Sequence, residues 1–513
     1  MIKEIVRDIL SLGVRVPASV TGRKSGAGPA EGRALIIGGI AVNAPISSSY
    51  AALSPYSLRD DGDNYVLCRE DQPLLPVDIV PEPRFYLHRN REGIAYRKIA
   101  LLHGRDCLAT TVLQSCRHWR KGEQCAFCGT ELSLKAGTTL VRKTPSQLAE
   151  AAACAQRLDR VAHVVLTSGA GDPPGSEISY LAECAQAVKQ ATGLPVHAQF
   201  APPDNLAAME ALYDAGVDTV GIHIESFDTG TLERFAPAKA RIGLSRYRKA
   251  WEKAVALFGP NQVSSFLIVG LGEPLQSLMH GSELLADMGV YPFIVPLRPI
   301  SGTRCIIPRP PGAGVMQPIY EGVADILAKR GLSAAGCKAG CVRCGACSAL
   351  AAYERPPDDL IYHRARTPRE LEHVFTIRHA VFVTEQGMFT DTDRDVHDEK
   401  SIYIVAKAGD RVVGTVRVFP QGTDNHWVGG RLAVSKGYRH GNVGAALVKE
   451  AVAQVKRQGC VRFTACIQEQ NVRFFEKIGW TTIGKPKLHM GKPHQLMKAD
   501  LNSQRKSEAL QIQ

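Results

Sequence analysis

Six apolar runs of strand length, separated by amphipathic stretches of helix length, fill residues 105–331 and dictate how that part of the chain folds. The runs are Cys107–Gln114, His163–Gly169, Pro195–Phe200, Thr219–Glu225, Val263–Gly270 and Tyr291–Pro299. Between them lie helical periodicities such as Pro145–Leu158, Ile178–Thr192, Leu244–Phe258 and Leu278–Met288. Alternating β and α segments require a parallel sheet joined by right-handed crossovers. Six units suit a partial barrel better than a closed eight-fold one, and ligands are expected at the C-terminal strand ends.

Fourteen cysteines are distributed unevenly over this framework. Cys68, Cys107, Cys154, Cys184, Cys305, Cys460 and Cys466 stand apart, most of them in apolar strand or helix contexts, and read as small core residues. The other seven form two tight groups, which in a reducing compartment point to metal rather than disulfides. Cys116, Cys125 and Cys128 make C-x8-C-x2-C directly after the first strand. Three thiolates are one short of a closed four-ligand site, but around a four-iron cluster they leave one iron open. The alternative is zinc with a remote fourth ligand. Cys337, Cys341, Cys344 and Cys347 make C-x3-C-x2-C-x2-C, with Gly336, Gly340 and Gly345 letting the chain wrap tightly. Either a second four-iron cluster or a tetrahedral zinc satisfies those four thiols.

Further residues surround the triplet in chain order. Phe127 precedes its last cysteine, Thr167-Ser168-Gly169 ends the second strand and Glu225-Ser226 the fourth; Ile268-Val269-Gly270-Leu271-Gly272-Glu273 ends the fifth. This constellation resembles the radical S-adenosylmethionine (SAM) superfamily, although the usual spacing there is C-x3-C-x2-C. The resemblance implies a partial (β/α)6 TIM-like barrel with a 4Fe-4S cluster on Cys116, Cys125 and Cys128. It also implies SAM bound near Phe127, Ser168, Gly169, Glu225, Ser226, Ile268 and Gly270, a small-molecule substrate, and a reductant such as flavodoxin or ferredoxin. His103-Gly104-Arg105-Asp106-Cys107, Gly221–Phe227 and Pro296-Leu297-Arg298-Pro299 narrow it to an uncharacterised bacterial radical SAM family. Genes of that family tend to neighbour nitrilase and acetyltransferase genes, and the similarity covers roughly residues 1–350.

After a helix-breaking segment, Glu354–Asp359, a second α/β unit begins. Arg431–Val434 followed by Tyr438–Ala445 resembles the acyl-CoA motif of GNAT-type acetyltransferases, R/Q-x-x-G-x-G/A. Arg439 and Gly444 match, and Asn442 stands in place of the first glycine. The resemblance implies acetyl-CoA held by Leu432, Ala433, Val434, Arg439, His440, Gly441, Asn442, Val443, Gly444, Ala445 and Asn471. Turn N–H groups and a helix N-terminus would cradle the pyrophosphate. Where such domains often carry a tyrosine as general acid, this chain has Phe475, so it either uses another group or binds CoA without turnover. Glu385 is a candidate general base or a solvated carboxylate. The acidic stretch Asp391, Asp393, Asp395, Asp398 and Glu399 either attracts an amine or is a solvated loop, and His489 and His494 are expected near the acceptor.

The domains expected are a β-containing extension (1–100), the barrel (101–335), a cluster segment (336–350), a linker (351–362), the GNAT-type α/β domain (363–500) and a tail (501–513). Forty-five per cent hydrophobic and 22% charged residues describe globular protein. The net charge of +12 is spread along the chain without a basic, aromatic-rich run, so nucleic acid is not expected as a partner. No apolar run is long enough to span a membrane, and Met1-Ile2-Lys3-Glu4 does not open a signal peptide, so a cytoplasmic location is expected. The leading expectation is a bifunctional enzyme; the rivals are radical chemistry with a degenerate CoA-binding or docking module, and an iron–sulfur redox sensor.

Overall fold

The computed structural model describes residues 2–22, 32–62, 65–354, 360–408, 411–422, 424–435, 438–439, 443–489 and 491–501. The chain divides into two compact units, Met1–Glu354 and Arg355–Gln513. Pro356 and Pro357 of the expected linker, the loop residues 23–31 and tail residues 502–513 lie outside the described residues.

The first unit opens with a helix that the sequence reading did not anticipate, Ile2–Leu12, which buries Ile5, Val6, Ile9 and Leu10 on one face. Five antiparallel strands follow: β1 (Arg33–Ile37), β2 (Ile40–Ala44), β3 (Tyr56–Asp60), β4 (Tyr65–Arg69) and β5 (Gln72–Ile79), in the order β2-β1-β5-β4-β3. The next sheet contains β6 (Leu101–His103), β7 (Cys107–Thr111), β8 (His163–Thr167), β9 (Val196–Gln199), β10 (Thr219–Gly221), β11 (Val263–Val269) and β12 (Val290–Pro296). β6 and β7 form a hairpin, and β7 to β12 run parallel in sequence order, the six β/α units expected.

Local signals place the helices between these strands. Thr144 and Gln147 form a reciprocal capping box ahead of Pro145–Asp159, with Pro145 at the first helical position, where its missing N–H costs nothing. Asp228 caps Thr229–Phe235 by accepting from the Thr231 N–H.

One strand ends earlier than its apolar run. β10 pairs with β11 only through Val220 and Gly221, and pairing resumes at an isolated bridge between Glu225 and Leu267. The gap is spanned by a side chain: the Phe266 N–H donates to His223 Nδ1 (3.2 Å), and the ring stacks on Phe266. Burial, aided by Lys239, holds His223 well below its usual pKa, so the neutral ring serves as an acceptor.

Residues 331–354 cross the amino-terminal ends of the strands. Asn261 Nδ2 donates to the Ser333 carbonyl, the Gly340 N–H to His163 Nδ1 and the Asn43 N–H to the Ala346 carbonyl. Gly340 has φ +91°, and a Cβ there would lie 2.5 Å from the His197 ring, so no other residue fits.

The second unit is one seven-stranded sheet of β13 (Ile361–Arg364), β14 (Ile402–Ala408), β15 (Arg411–Pro420), β16 (His426–Val434), β17 (Arg462–Gln468), β18 (Trp480–His489) and β19 (Lys492–Ala499). Its order is β13-β14-β15-β16-β17-β19-β18, antiparallel except for the β16–β17 pair. Helices Pro368–Arg378 and Val443–Arg457 pack on it. Both hydrophobic clusters of this unit are built wholly from residues after Arg355. A fragment 355–513 is therefore expected to melt in one cooperative transition by circular dichroism; a non-cooperative loss of signal would refute its independence.

Candidate functional site

The first cysteine loop is bolted to the end of β8. The Gly169 N–H donates to the Leu113 carbonyl, and the Arg117 N–H to that of Ala170. A Cβ on Gly169 would lie 2.2 Å from the Ser115 carbonyl oxygen, so the glycine lets two backbones touch beside Cys116. The eight residues between Cys116 and Cys125 are taken up by the helical turn Arg117–Arg120 and a return held by the Glu123 N–H on the His118 carbonyl. The Cys116 N–H donates to Glu131, the Ala126 N–H to the Phe235 carbonyl, and the Cys128 thiol stands 3.0 Å from the Thr130 hydroxyl. Burial pushes the Cys125 thiol up to about 12; Lys239 works against this, and Cys128, Glu225 and Cys116 add to it. Below the loop, the Lys143 ammonium donates to the Thr111 and Leu140 carbonyls and to Gln114 Oε1, fixing the end of β7.

A cavity of about 340 Å³ runs down the barrel from Cys128 and Phe127. Its wall is mostly apolar, with Phe266, Ile268, Val295 and Leu297 among the lining residues. Two charged residues also face it, Glu225 and Arg298. Glu225, 7% exposed and at φ +77°, accepts from the Lys239 ammonium through Oε1 (2.6 Å), while its buried Oε2 has no partner. Arg298 Nη2 donates to the Asn43 carbonyl, and its buried Nη1 is likewise unpartnered.

Of the residues expected around SAM, Phe127, Glu225 and Ile268 are thus brought together. The Ser168 hydroxyl donates to the Gly169 carbonyl, and Ser226 Oγ accepts from the Asp228 N–H. Gly270, at φ +109°, shapes the turn after β11, where a Cβ would press on Pro311 and Leu297. Glu273 accepts from the Phe227 N–H and the Ser277 hydroxyl and organises the neighbouring turn.

The second cysteine group meets the same cavity from the opposite end. Cys341, Cys344 and Cys347 line it, with His103, Cys107 and Gln199 beside them. His103 Nδ1 stands 3.3 Å from Cys344 Sγ and Nε2 3.4 Å from Cys347 Sγ, and Gln199 Nε2 donates to Cys341 Sγ (3.2 Å). Cys337 is buried in the main core, its thiol donating to the Ala339 carbonyl. His103 and Arg298 sat in motifs visible in the sequence, HGRDC and PLRP; Gln199 and Lys239 carried no signal.

In the second unit, β16 and β17 pair in parallel only from His426–Arg462 to Gly429–Ala465 and then diverge. A pocket of about 580 Å³ opens in the gap, lined by Gly430, Arg431 and Leu432 on one side and Cys466, Ile467 and Asn471 on the other, with His494 also on its wall. Ala433 and Val434 stay paired with β15, and Val443, Gly444 and Ala445 open the helix beyond. His440, Gly441 and Asn442 lie outside the described residues, as does the side chain of His489. Arg439 donates to both oxygens of Glu385 (2.5 and 2.7 Å), so the carboxylate expected as a base is engaged by the arginine expected on the pyrophosphate. Phe475 packs edge-on against Trp480 in the core and offers no hydroxyl to the pocket.

Three members of the acidic stretch, Asp393, Asp395 and Asp398, are held by arginines, while Asp391 and Glu399 are exposed. Arg378, with 0% exposure, donates to Asp393 and Asp398, and Arg417 to Asp395 and Asp398, all at 2.7 Å; Arg431 reaches Asp395 at 3.2 Å. Burial alone would raise the Asp398 carboxyl, but hydrogen bonds from Arg378, Tyr403 and Arg417 outweigh it and hold the group far below the usual range.

A family model for the radical SAM superfamily matches residues 122–284, and one for the GNAT acetyltransferase family matches residues 369–480. Bacteriochlorophyllide c C-7(1)-hydroxylase of Chlorobaculum limnaeum is 25% identical over 272 residues, 47% of this chain and 67% of that protein. A putative acetyltransferase of Bacillus subtilis (strain 168) is 33% identical over 132 residues, 25% of this chain and 88% of its own. The crystal structure of a putative N-acetyltransferase from Lactobacillus plantarum aligns at 26% identity over 28% of this chain and 98% of its own, with a TM-score of 0.26. The chain joins a radical SAM domain to a GNAT acetyltransferase domain.

Radical SAM membership implies SAM and an iron–sulfur cluster, and the donors fit: one loop carries three thiols, and an orphaned carboxylate oxygen lies below them. GNAT membership implies acyl-CoA, and the gap between β16 and β17 supplies an open slot beside a helix N-terminus. No helix among the described residues is long and apolar enough to cross a membrane.

Replacing Arg378 with leucine would leave two buried carboxylates short of their partner. A loss of about 3–5 kcal/mol in the GNAT domain is expected in denaturant unfolding; an unchanged midpoint would refute the network's role. The depressed Asp398 pKa adds stability that is complete above the unfolded carboxyl value of about 4 and is lost as pH falls below it. The domain should therefore be acid-labile, and Asp398→Asn should flatten the dependence of its melting temperature on pH.

Proposed function

We propose that the barrel uses SAM and a 4Fe-4S cluster on Cys116, Cys125 and Cys128 to act on a small metabolite in the central cavity, and that the GNAT domain acylates the precursor or product. The observation that carries this reading is the cavity itself: an apolar chamber that starts at Cys128 and retains one unpartnered carboxylate oxygen and one unpartnered guanidinium nitrogen. Buried polar atoms without partners are costly, so such a pair favours a ligand that brings complementary groups. When bound, the cluster and SAM supply a 5′-deoxyadenosyl radical. The residues supply the rest. Phe127 and Ile268 exclude water, the Glu225–Lys239 pair orients a polar group, and Arg298 attracts an anionic one. Electrons come from a flavodoxin or ferredoxin.

The second cysteine group is proposed to hold a second four-iron cluster. Among the described residues no three Cys, His, Asp or Glu side chains converge on a single ion. The crowding of four thiols into one short loop is what supports a cluster over one tetrahedral zinc. The fusion suits the gene neighbourhood of the family that the barrel resembles, where nitrilase and acetyltransferase genes recur.

A second reading of the GNAT domain has its own support. Phe475 offers no acid and Glu385 is tied to Arg439, which favours a domain that binds CoA without transferring its acyl group.

Anaerobic protein with SAM and dithionite should release 5′-deoxyadenosine, and the Cys116, Cys125 and Cys128 triple alanine variant should release none. Glu225→Gln keeps the shape but removes a charge that Lys239 and the ligand share. It should raise the KM for SAM about tenfold, on the order of 1.4 kcal/mol, with iron content unchanged; an unchanged KM removes Glu225 from the SAM site.

For the GNAT domain, a Cβ at Gly444 meets nothing closer than 3.7 Å, so Gly444→Val is expected to fold. Calorimetry should find acetyl-CoA binding by wild-type fragment 355–513 and a loss of at least tenfold in the variant. Unaltered binding takes the turn out of the site.

A further inference from the structure

Five cysteines, not four, gather at the amino-terminal end of the barrel, and they differ in what their sulfurs face. Cys341, Cys344 and Cys347 meet polar groups at the cavity: the Gln199 amide at 3.2 Å, the two ring nitrogens of His103 at 3.3 and 3.4 Å and, for Cys344, the His103 carbonyl at 3.9 Å. Cys337 lies apart from them, buried in the main core, with its S–H donating to the Ala339 carbonyl at 3.2 Å. Cys337 is also absent from the cavity wall, while Cys107, 1% exposed, is part of it and packs with Ala109 and Val165 against Cys344.

Spacing leads to the same division. Cys341-x2-Cys344-x2-Cys347 is the compact run that ferredoxin-like segments use for three corners of one cluster, and in those segments the next cysteine of the run ligates a different cluster. The fourth corner then needs one further thiol, from Cys337 or from elsewhere in the fold. The β6–β7 hairpin provides one. Gly104, at φ +60°, turns so close to Cys344 that a Cβ would lie 2.8 Å from its sulfur, and Cys107 begins the strand three residues later.

We propose that the second cluster is ligated by Cys107, Cys341, Cys344 and Cys347, and that Cys337 is a structural thiol outside the ligand set. This rests on the reading that a second cluster exists. Its consequence is that one strand carries both centres. Cys107 starts β7 and Cys116 follows nine residues later, so the clusters flank the cavity from the two ends of a strand about 13 Å long. The substrate pocket is then bounded above and below by iron.

The test uses the full chain with Cys116, Cys125 and Cys128 all changed to alanine, which leaves only the second centre. Anaerobically reconstituted parent should hold about four irons and give a reduced 4Fe-4S signal in electron paramagnetic resonance. Adding Cys107→Ala should lower iron to about three with an oxidised 3Fe-4S signal, or abolish it. Adding Cys337→Ala should leave iron and signal as in the parent. Iron retained without Cys107, or lost without Cys337, overturns the assignment. Should Cys107→Ala fail to fold by circular dichroism, the Cys337→Ala arm still decides. A parent without iron refutes the second cluster itself, which separates that failure from a wrong ligand set.

Discussion

The parallel ladder from β7 to β12 puts every strand's carboxyl end on one rim of the barrel and every amino end on the other, and the first unit's chemistry is divided between the rims. Cys107 pairs with His163 at the amino end, and Thr111 with Thr167 at the carboxyl end. Beyond the carboxyl ends, Gly169 lets the cysteine loop lie directly on the next strand's exit. Beyond the amino ends, Gly340 lets the coil 331–354 press onto His163 and His197. Both contacts are backbone-close, which only residues without a Cβ permit. The cavity between them exists because a curled seven-stranded sheet has an interior that its own short strands do not fill.

That interior is selective about charge. Lys239 is paired with Glu225, and burial keeps His223 neutral as a substitute rung of the ladder. Among the residues that line the cavity, the unpartnered buried atoms are one oxygen of Glu225 and one nitrogen of Arg298. A buried ion pair is a weak source of stability, because desolvation offsets the attraction, so its retention here is better understood as positioning.

The GNAT domain spends its buried charge differently. Arg378, Arg417 and Arg431 share Asp393, Asp395 and Asp398, tying the loop after Pro368–Arg378 to β15 and β16. This anchors one wall of the pocket, while the divergence of β16 from β17 opens the other. The network lies in structure rather than chemistry, which is why Asp393, Asp395 and Asp398, which looked like part of a substrate lure, are occupied.

Much of this was legible in the chain because it is local or periodic. Apolar runs at strand length and the close spacing of Cys341, Cys344 and Cys347 are short-range facts, and the barrel and the cysteine groups followed from them. What sequence could not supply was the partner at long range. Cys107 is the buried core residue its context suggested, but its neighbour Cys344, more than 230 positions away, left no trace beside it, and Glu225 gave no hint of Lys239 because side-chain pairing depends on how a helix lies over a strand end. The same holds for Ser168 and Ser226, whose hydroxyls are used by adjacent backbone, and for Glu385, claimed by Arg439. Sequence by itself determined which elements form and which thiols are neighbours, since those depend on propensity and spacing. Only the tertiary structure decided which polar atoms are left without partners in the cavity, because satisfaction of a buried group is a property of everything packed around it.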